Sequence, residues 1–485
     1  MSTSSQPPQH ILIIGAGEFG LATTLALLRR SSFSTTTRIT LLDASPQLPN
    51  IHGSSVDASR IIRPDYANPV YAKLAAEAQR LWRGKGQDQW GGQGRYTESG
   101  FLLAADCHDG RSLETREEGY VVPDGEKYVA KSLENVRKLM NEDGAEAEGL
   151  GEGRDRRKGV QEIKGGEEAM RVAAGLSEKG RVGGLGAVVR FALGKVREED
   201  EEGRRVSIRT GAKVRRLLSE KEGKGSRVVG VELEGKGEGE KIFADLVVVS
   251  AGAWSPSLVD LQGRAVATGQ ILSYLQITDA ERDRLKDNPT VINLSQGMFM
   301  IPPKGNELKI ARHGFGYRHM ESVREGDVLV DQEDLDPAGV ESPDGRALRV
   351  SVPVVGIPAP LEGQQACRAA LKQMLPEMGD RPFTKTRICW YCDTPDGDFL
   401  IDWHPKHKGL FLATGGSGHG FKFFPVIGER IVDAVEGKLD PELRQAWSWR
   451  KERVVDFHSC EDGSRAGPRR MDLEEELLKG NSGGS

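Results

Sequence analysis

The stretch HILIIGAGEFGLATTLALLRR, residues 10–30, limits what this chain can become more than any other. A short apolar run breaks at Gly15, Gly17 and Gly20, spaced as GxGxxG, and a helix-like run follows. The first two glycines permit a tight turn and close backbone approach to a pyrophosphate, which then rests on the positive end of the helix. The third lets helix and strand pack closely. A second apolar run, TRITLLD, ends in Asp43, placed to accept both hydroxyls of a ribose. With sixty glycines in the chain, three in one turn say little by themselves. Strand, turn, helix and acidic residue in register say more, and they predict an α/β protein with a parallel sheet. Ala16, Glu18 and Phe19 fall within the same cofactor-binding turn.

The motif does not choose between NAD and FAD, but two later stretches do so in combination. RVVGVELEGKGEGEKIFADLVVVSAGAW reads as a hairpin turned at EGKGEGEK, then one β-branched strand and a small-residue turn holding Ala251, Gly252 and Trp254. LFLATGGSGHGFKFFPVIGERIVD gives a strand, a glycine-rich turn with Gly416, Gly418, His419 and Gly420, and an amphipathic helix. A strand returning beside the first, and a helix start able to face a flavin pyrimidine, together favour FAD. The expected fold is α/β (α+β overall), a Rossmann-like two-dinucleotide-fold FAD domain with a mixed-sheet substrate domain. The first takes residues 9–95, 168–255 and 384–440; the second takes 96–167 and 256–383. A charged insertion at about 140–167 and a peripheral tail at 451–485 complete the division. Between about Asp109 and Glu202 the sequence is rich in Gly, Glu, Lys and Arg, and within it NEDGAEAEGLGEGRDRRKG, residues 141–159, has too little apolar surface to offset ordering entropy and reads as a solvated, partly disordered loop.

Composition removes whole classes of function. The net charge of −5, from 67 basic and 72 acidic residues, gives no footprint for nucleic acid. Five cysteines in 485 residues argue against a disulfide framework and for a reducing compartment. The opening MSTSSQPPQH lacks the regions of a secretory signal, the apolar runs are strand-sized, and the closing NSGGS is no peroxisomal address. A soluble intracellular protein, cytoplasmic or peroxisomal and working as a monomer away from membranes, is the expectation.

In order along the chain, SRIIRPDY, SAGAWSPSLVDL, LKIARH, CWYCDTPDGDFLIDWHP and GGSGHGFKF resemble the amine-oxidising flavoenzymes grouped with D-amino acid oxidase. The likeness is to the branch of monomeric sarcosine oxidase, pipecolate oxidase, fungal saccharopine oxidase and fructosyl amino acid oxidase. It implies that Cys389, first of the CxxC, carries FAD through a thioether, while Cys392 has no role. The rival readings of the CxxC are weaker: no second CxxC or HxxxH completes a zinc site. The resemblance further implies that Arg63 and Lys422 bind a substrate carboxylate, Arg60 lies beside the flavin, Lys309 activates O2 and His313 faces the substrate. In isolation each of these is more often a solvated surface residue; the motifs raise them. Ser59 and Val214 complete the expected cofactor-binding set. Two positions depart from the sarcosine-type pattern. Met298 or Phe299 stands near an expected tyrosine, and Ser55 where a histidine precedes the arginine pair.

The activity implied is oxidation of an N-substituted or cyclic L-amino acid, of pipecolate, saccharopine or sarcosine type, to an imine, with O2 reduced to hydrogen peroxide. A fructosyl amino acid is the second reading. An NAD-dependent dehydrogenase and a non-catalytic flavin-binding protein are remote ones.

Overall fold

The computed structural model describes residues 7–33, 36–105, 120–121, 125–146, 185–200, 203–223, 225–324, 326–330, 348–452, 454 and 460–482. Its organising layer is a six-stranded sheet in the order Leu400–Trp403, Leu410–Thr414, Leu246–Val249, His10–Ile14, Arg38–Leu42, Val206–Arg209. All neighbours are parallel except the Leu400–Trp403 edge. These strands are nearly continuous apolar runs because both faces are covered. Ile11, Ile13 and Val248 enter one core, and Leu12, Ile14 and Val249 enter another on the opposite face. The helix Glu18–Arg29 follows the first strand directly and packs against Phe424–Val435 and Leu185–Glu199. Gly428 makes the first of these contacts possible, since a Cβ there would lie 2.0 Å from Ala22 O.

A second, eight-stranded mixed sheet carries the chemistry side of the molecule. Val266–Gln276 runs through it, with Glu307–Arg312 and Tyr317–Arg318 on one edge and Lys385–Asp393 on the other, all antiparallel to it. Met298–Lys304, Thr290–Asn293 and Phe101–Ala104 extend it. The helix Leu361–Met374 backs this sheet through Cys367, Ala370 and Leu371. The hairpin expected at EGKGEGEK is present, with Gly225–Leu233 antiparallel to Lys241–Phe243. Lys385–Asp393 belongs to the second sheet, although it lies in a span assigned by sequence to the FAD domain.

Two expectations need correction. The stretch read as a solvated loop, residues 141–159, begins in helix rather than loop. Gly125–Glu146 is a helix, and Leu185–Glu199 is a second helix that buries Val188, Val189, Ala192, Leu193 and Val196. Their spacing puts one apolar stripe on a helix whose other face is charged; residues 147–184 lie outside the described residues. Nor is the tail peripheral. Met471–Asp472 adds a strand beside Tyr317–Arg318, Leu473 joins the core of the second sheet, and Arg465 is 2 % exposed. No described helix is long and apolar enough to cross a membrane.

Candidate active site

The dinucleotide turn is built from contacts that only glycine permits. Gly15 has φ +102°, and a Cβ there would stand 2.5 Å from Ser250 O; at Gly20 it would stand 1.9 Å from Gly15 O. Gly17 caps the helix Glu18–Arg29, whose first amides open toward the same turn. At the end of the second strand the buried Asp43 is oriented by two backbone amides, Ala16 N to Oδ2 at 2.9 Å and Ser45 N to Oδ1 at 2.8 Å. A cavity of about 740 Å³ extends from this carboxylate along the turn. Val214, Ala251, Gly252 and Trp254 wall one side of it. Arg60, Tyr391, Gly416, Gly418 and Gly420 line it as well. Ala16, Phe19 and Glu18 complete the turn side, where burial raises the pKa of the Glu18 carboxyl and the Ser55 hydroxyl donates to it. The cradle that a Cβ would fill, the parallel sheet and the fixed Asp43 fit an FAD.

Beyond the cavity, two buried clusters hold the remaining sequence-predicted residues. The first centres on Asp57. Lys309, on the strand Glu307–Arg312, donates to Asp57 Oδ2 at 2.9 Å and to Ser59 O at 2.8 Å. Arg60 Nη1 donates to the same oxygen at 2.5 Å, while Tyr274 Oη and Ala58 N donate to Oδ1 at 2.5 and 2.7 Å. Although burial works against its charge, Lys309 and Arg60 hold Asp57 ionised, far below the ordinary carboxylate range. Burial pulls the Lys309 pKa down, and Asp57 opposes that pull.

Cys389 borders this cluster, 1 % exposed, with Sγ 3.7 Å from Arg60 Nη2. Cys392, three residues on, projects to the other face of the strand. It lines the cavity, accepts from Thr414 Oγ1 at 3.3 Å, and has a thiol pushed up by burial to about 11. Phe299, not Met298, faces the cluster: its ring lies 5.7 Å from Lys309 Nζ, while Met298 is packed in the core of the second sheet.

The second cluster centres on Tyr66. Lys422 Nζ donates to its hydroxyl at 2.6 Å and lies 4.6 Å from the ring centre; Arg63 packs 5.3 Å from the same ring. Arg63 also donates to Asp65 Oδ2 at 2.6 Å. The Tyr66 hydroxyl pairs with His419 Nδ1 at 3.0 Å, and His419 Nε2 with Gly397 O at 2.8 Å. Lys422 is buried, and its pKa falls well below the ordinary lysine value, through desolvation first and the Arg63 charge second. His313 joins through Arg465, whose Nη1 lies 3.0 Å from His313 Nδ1. Burial and then the cations Arg465 and Arg63 hold its pKa well below 6.5.

Asp57, Tyr66, Tyr274, Asp393 and Arg465 escaped the sequence reading. Asp57, three residues before Arg60, and Tyr66, three after Arg63, carried a weak signal in SVDASRIIRPDY. Arg465 carried none within its charged surroundings.

The chain matches the family model described as FAD dependent oxidoreductase, DAO, over residues 10–434. It is 29 % identical to the amino acid oxidase imqH of Aspergillus flavus, across 91 % of this chain and 98 % of that protein. It is 28 % identical to the L-saccharopine oxidase of Schizosaccharomyces pombe, across 91 % and 93 %. Among solved structures it resembles a modified fructosyl peptide oxidase from Aspergillus nidulans, with TM-score 0.71, 24 % identity and coverage of 96 % and 98 %.

Proposed function

Because the chain belongs to the DAO family of FAD-dependent oxidoreductases, we propose that it oxidises an N-substituted or cyclic L-amino acid to an imine and passes the electrons to O2, giving hydrogen peroxide. FAD, bound along Gly15–Gly20 with its ribose at Asp43, supplies the two-electron acceptor that no side chain provides. The observation that carries the reading is the Tyr66 cluster, where Arg63 and Lys422 are both buried on one ring. Two desolvated cations beside a single partly engaged carboxylate, Asp65, favour an incoming anion. A free amino-acid carboxylate meets that need.

Arg63 and Lys422 fix the carboxylate, and with it the direction of the Cα–H bond. The substrate amine reacts as the free base, since an ammonium has no lone pair with which to form the imine. Lys309 holds a buried positive charge beside Asp57, suited to stabilising the anion formed as O2 gains its first electron. Cys389 is the attachment point proposed for the flavin. Arg60 on its sulphur supports it, and the raised thiol of Cys392 weighs against the second cysteine. After acid precipitation, flavin should stay with the wild-type and Cys392→Ala proteins and leave Cys389→Ala.

A fructosyl amino acid remains the second reading, favoured by the fold likeness alone. The test is peroxide release on sarcosine, L-pipecolate, L-proline, saccharopine and fructosyl-lysine. Peroxide from one of the first four supports the proposal, and peroxide from fructosyl-lysine alone replaces it with the second reading. Silence across the panel, with no anaerobic bleaching of the flavin, overturns both.

A further inference from the structure

Arg465 lies past the last residue of the family match, yet its guanidinium ends in the middle of the active site, its side chain 1 % exposed. Nη2 donates to Asp393 Oδ1 at 2.9 Å and to Ser417 O at 2.8 Å, and Nη1 reaches His313 Nδ1 at 3.0 Å. Asp393 is fully buried and accepts from Thr268 Oγ1 at 2.5 Å on its other oxygen. A guanidinium only donates. His313 Nδ1 is therefore the acceptor and carries no proton. The hydrogen of the neutral ring sits on Nε2, which has no hydrogen-bond partner among the described residues.

We propose that Arg465, held by Asp393, is a positioning residue that locks His313 as the Nε2–H tautomer, so that His313 meets the substrate as a hydrogen-bond donor and not as a base. The inference rests on the reading above in one respect, that His313 faces the substrate. The groups around the ring are Arg465, Arg63, Lys422, His419 and, 6.0 Å away, the Tyr391 ring. None of them supplies a negative charge, and Asp393, the carboxylate behind Arg465, is taken up by that cation, so burial most of all and then the cations oppose a second proton on His313. A donor is what the chemistry wants at this place. An Nε2–H turned to a carboxylate oxygen leaves the amine lone pair free to form the imine. His419 holds its proton on Nε2 as well, but through Gly397 O and Tyr66. Of these two rings, it is at His313 that a cation fixes the acceptor nitrogen.

The nine histidines of the purified flavoprotein can be followed by imidazole ¹⁵N spectra, with His313→Gln assigning the resonance. The expected wild-type result is a bare Nδ1, a protonated Nε2 and no titration from about pH 5 to 8, the range in which an ordinary histidine changes charge. In Arg465→Gln, His313 titrates within that range, and kcat/KM acquires a further acid limb there, in addition to the one that the substrate ammonium gives the wild type, while FAD content stays the same. Arg465→Lys, which keeps the charge and loses the fork, suppresses the further limb while leaving kcat low. A wild-type His313 protonated on Nδ1, or titrating near 6.5, overturns the proposal. So does an Arg465→Gln protein that melts earlier with His313 unchanged. The wild-type spectrum needs neither a substrate nor a stable variant, so a silent peroxide panel overturns the reaction and leaves this test intact.

Discussion

Asp57 and Tyr66 each gather two buried cations, and the two gatherings differ in what closes them. Around Asp57, both carboxylate oxygens are taken, by Lys309 and Arg60 on one and by Tyr274 and Ala58 on the other. The group is complete, with every lone pair answered by a donor. Around Tyr66, Arg63 has Asp65, but Lys422 has only a neutral phenol and no carboxylate at ion-pair distance among the described residues. One cluster holds its charge fixed; the other is short of an anion. Buried ions without partners are costly, so a deficit maintained in the interior marks the place where a charged ligand finishes the structure.

The largest expected effect tests whether the first cluster is closed. Asp57→Asn leaves the buried Lys309 and the partly buried Arg60 without their counter-charge, and removing one partner of a buried ion pair costs about 3–5 kcal/mol. Urea unfolding of the flavoprotein measures it, and a loss below about 1 kcal/mol breaks the comparison at once. The pH dependence has a definite sign. The folded-state pKa of Asp57 is depressed, so its contribution is complete above the ordinary 3.8 and is lost as pH falls through the folded value. The gap between wild type and variant therefore narrows only in strong acid.

The open cluster is tested by Lys422→Met. The loss in kcat/KM is about 10²–10³-fold for a free amino acid, from roughly 3–4 kcal/mol of charge pairing. The methyl ester of the same substrate should react alike with both proteins. An equal loss on the ester would place the carboxylate elsewhere. A subtler measurement sharpens the contrast. Because the Lys422 pKa is depressed, a bound carboxylate raises it again, so binding takes up as much as one proton between that depressed value and 10.5. Calorimetry with a carboxylate ligand that has no amine, in buffers of different ionisation enthalpy near pH 9, reads this directly. Binding without proton uptake means that Lys422 is already charged before the ligand arrives.

The smallest effects come from one substitution made twice. Tyr66→Phe and Tyr274→Phe each remove one hydroxyl, about 1 kcal/mol of hydrogen bonding. Tyr66→Phe should raise KM several-fold, with a stability loss no larger than that of Tyr274→Phe. Tyr274→Phe should lower stability with KM unchanged. Swapped outcomes would reverse the assignment of open and closed.

The parts of this molecule legible in its sequence are those where a local geometry dictates residue type. Gly15 and Gly20 must lack side chains because Ser250 O and Gly15 O occupy the space, and the GxGxxG announces it. The strands of the parallel sheet read as apolar runs because both faces are covered. The Asp57, Tyr66 and Arg465 contacts were hidden for the opposite reason. Their meaning comes from partners 252, 356 and 152 residues away, and nothing nearby in the chain records it. The helix Leu185–Glu199 was missed because its charged face set the composition while its five buried side chains supplied the packing. The resemblance carried Arg63, Lys309, His313 and Lys422 to one region. It could not say that they divide into two clusters with different electrostatic states.

The order of strands in the parallel sheet also sets when this protein can exist. His10–Ile14 pairs with Leu246–Val249, much later in the chain, which in turn pairs with Leu410–Thr414. On the ribosome the glycine turn emerges before the later strands that cover it and waits for them, with Arg465 arriving later still. Arg38–Leu42 can cover one edge of His10–Ile14 early, but the nascent chain carries the other edge unpaired until Leu246–Val249 is made. Co-translational chaperone contact should be densest on chains that have passed Ile14 but not yet Thr414, and should fall once the last of these strands clears the exit tunnel.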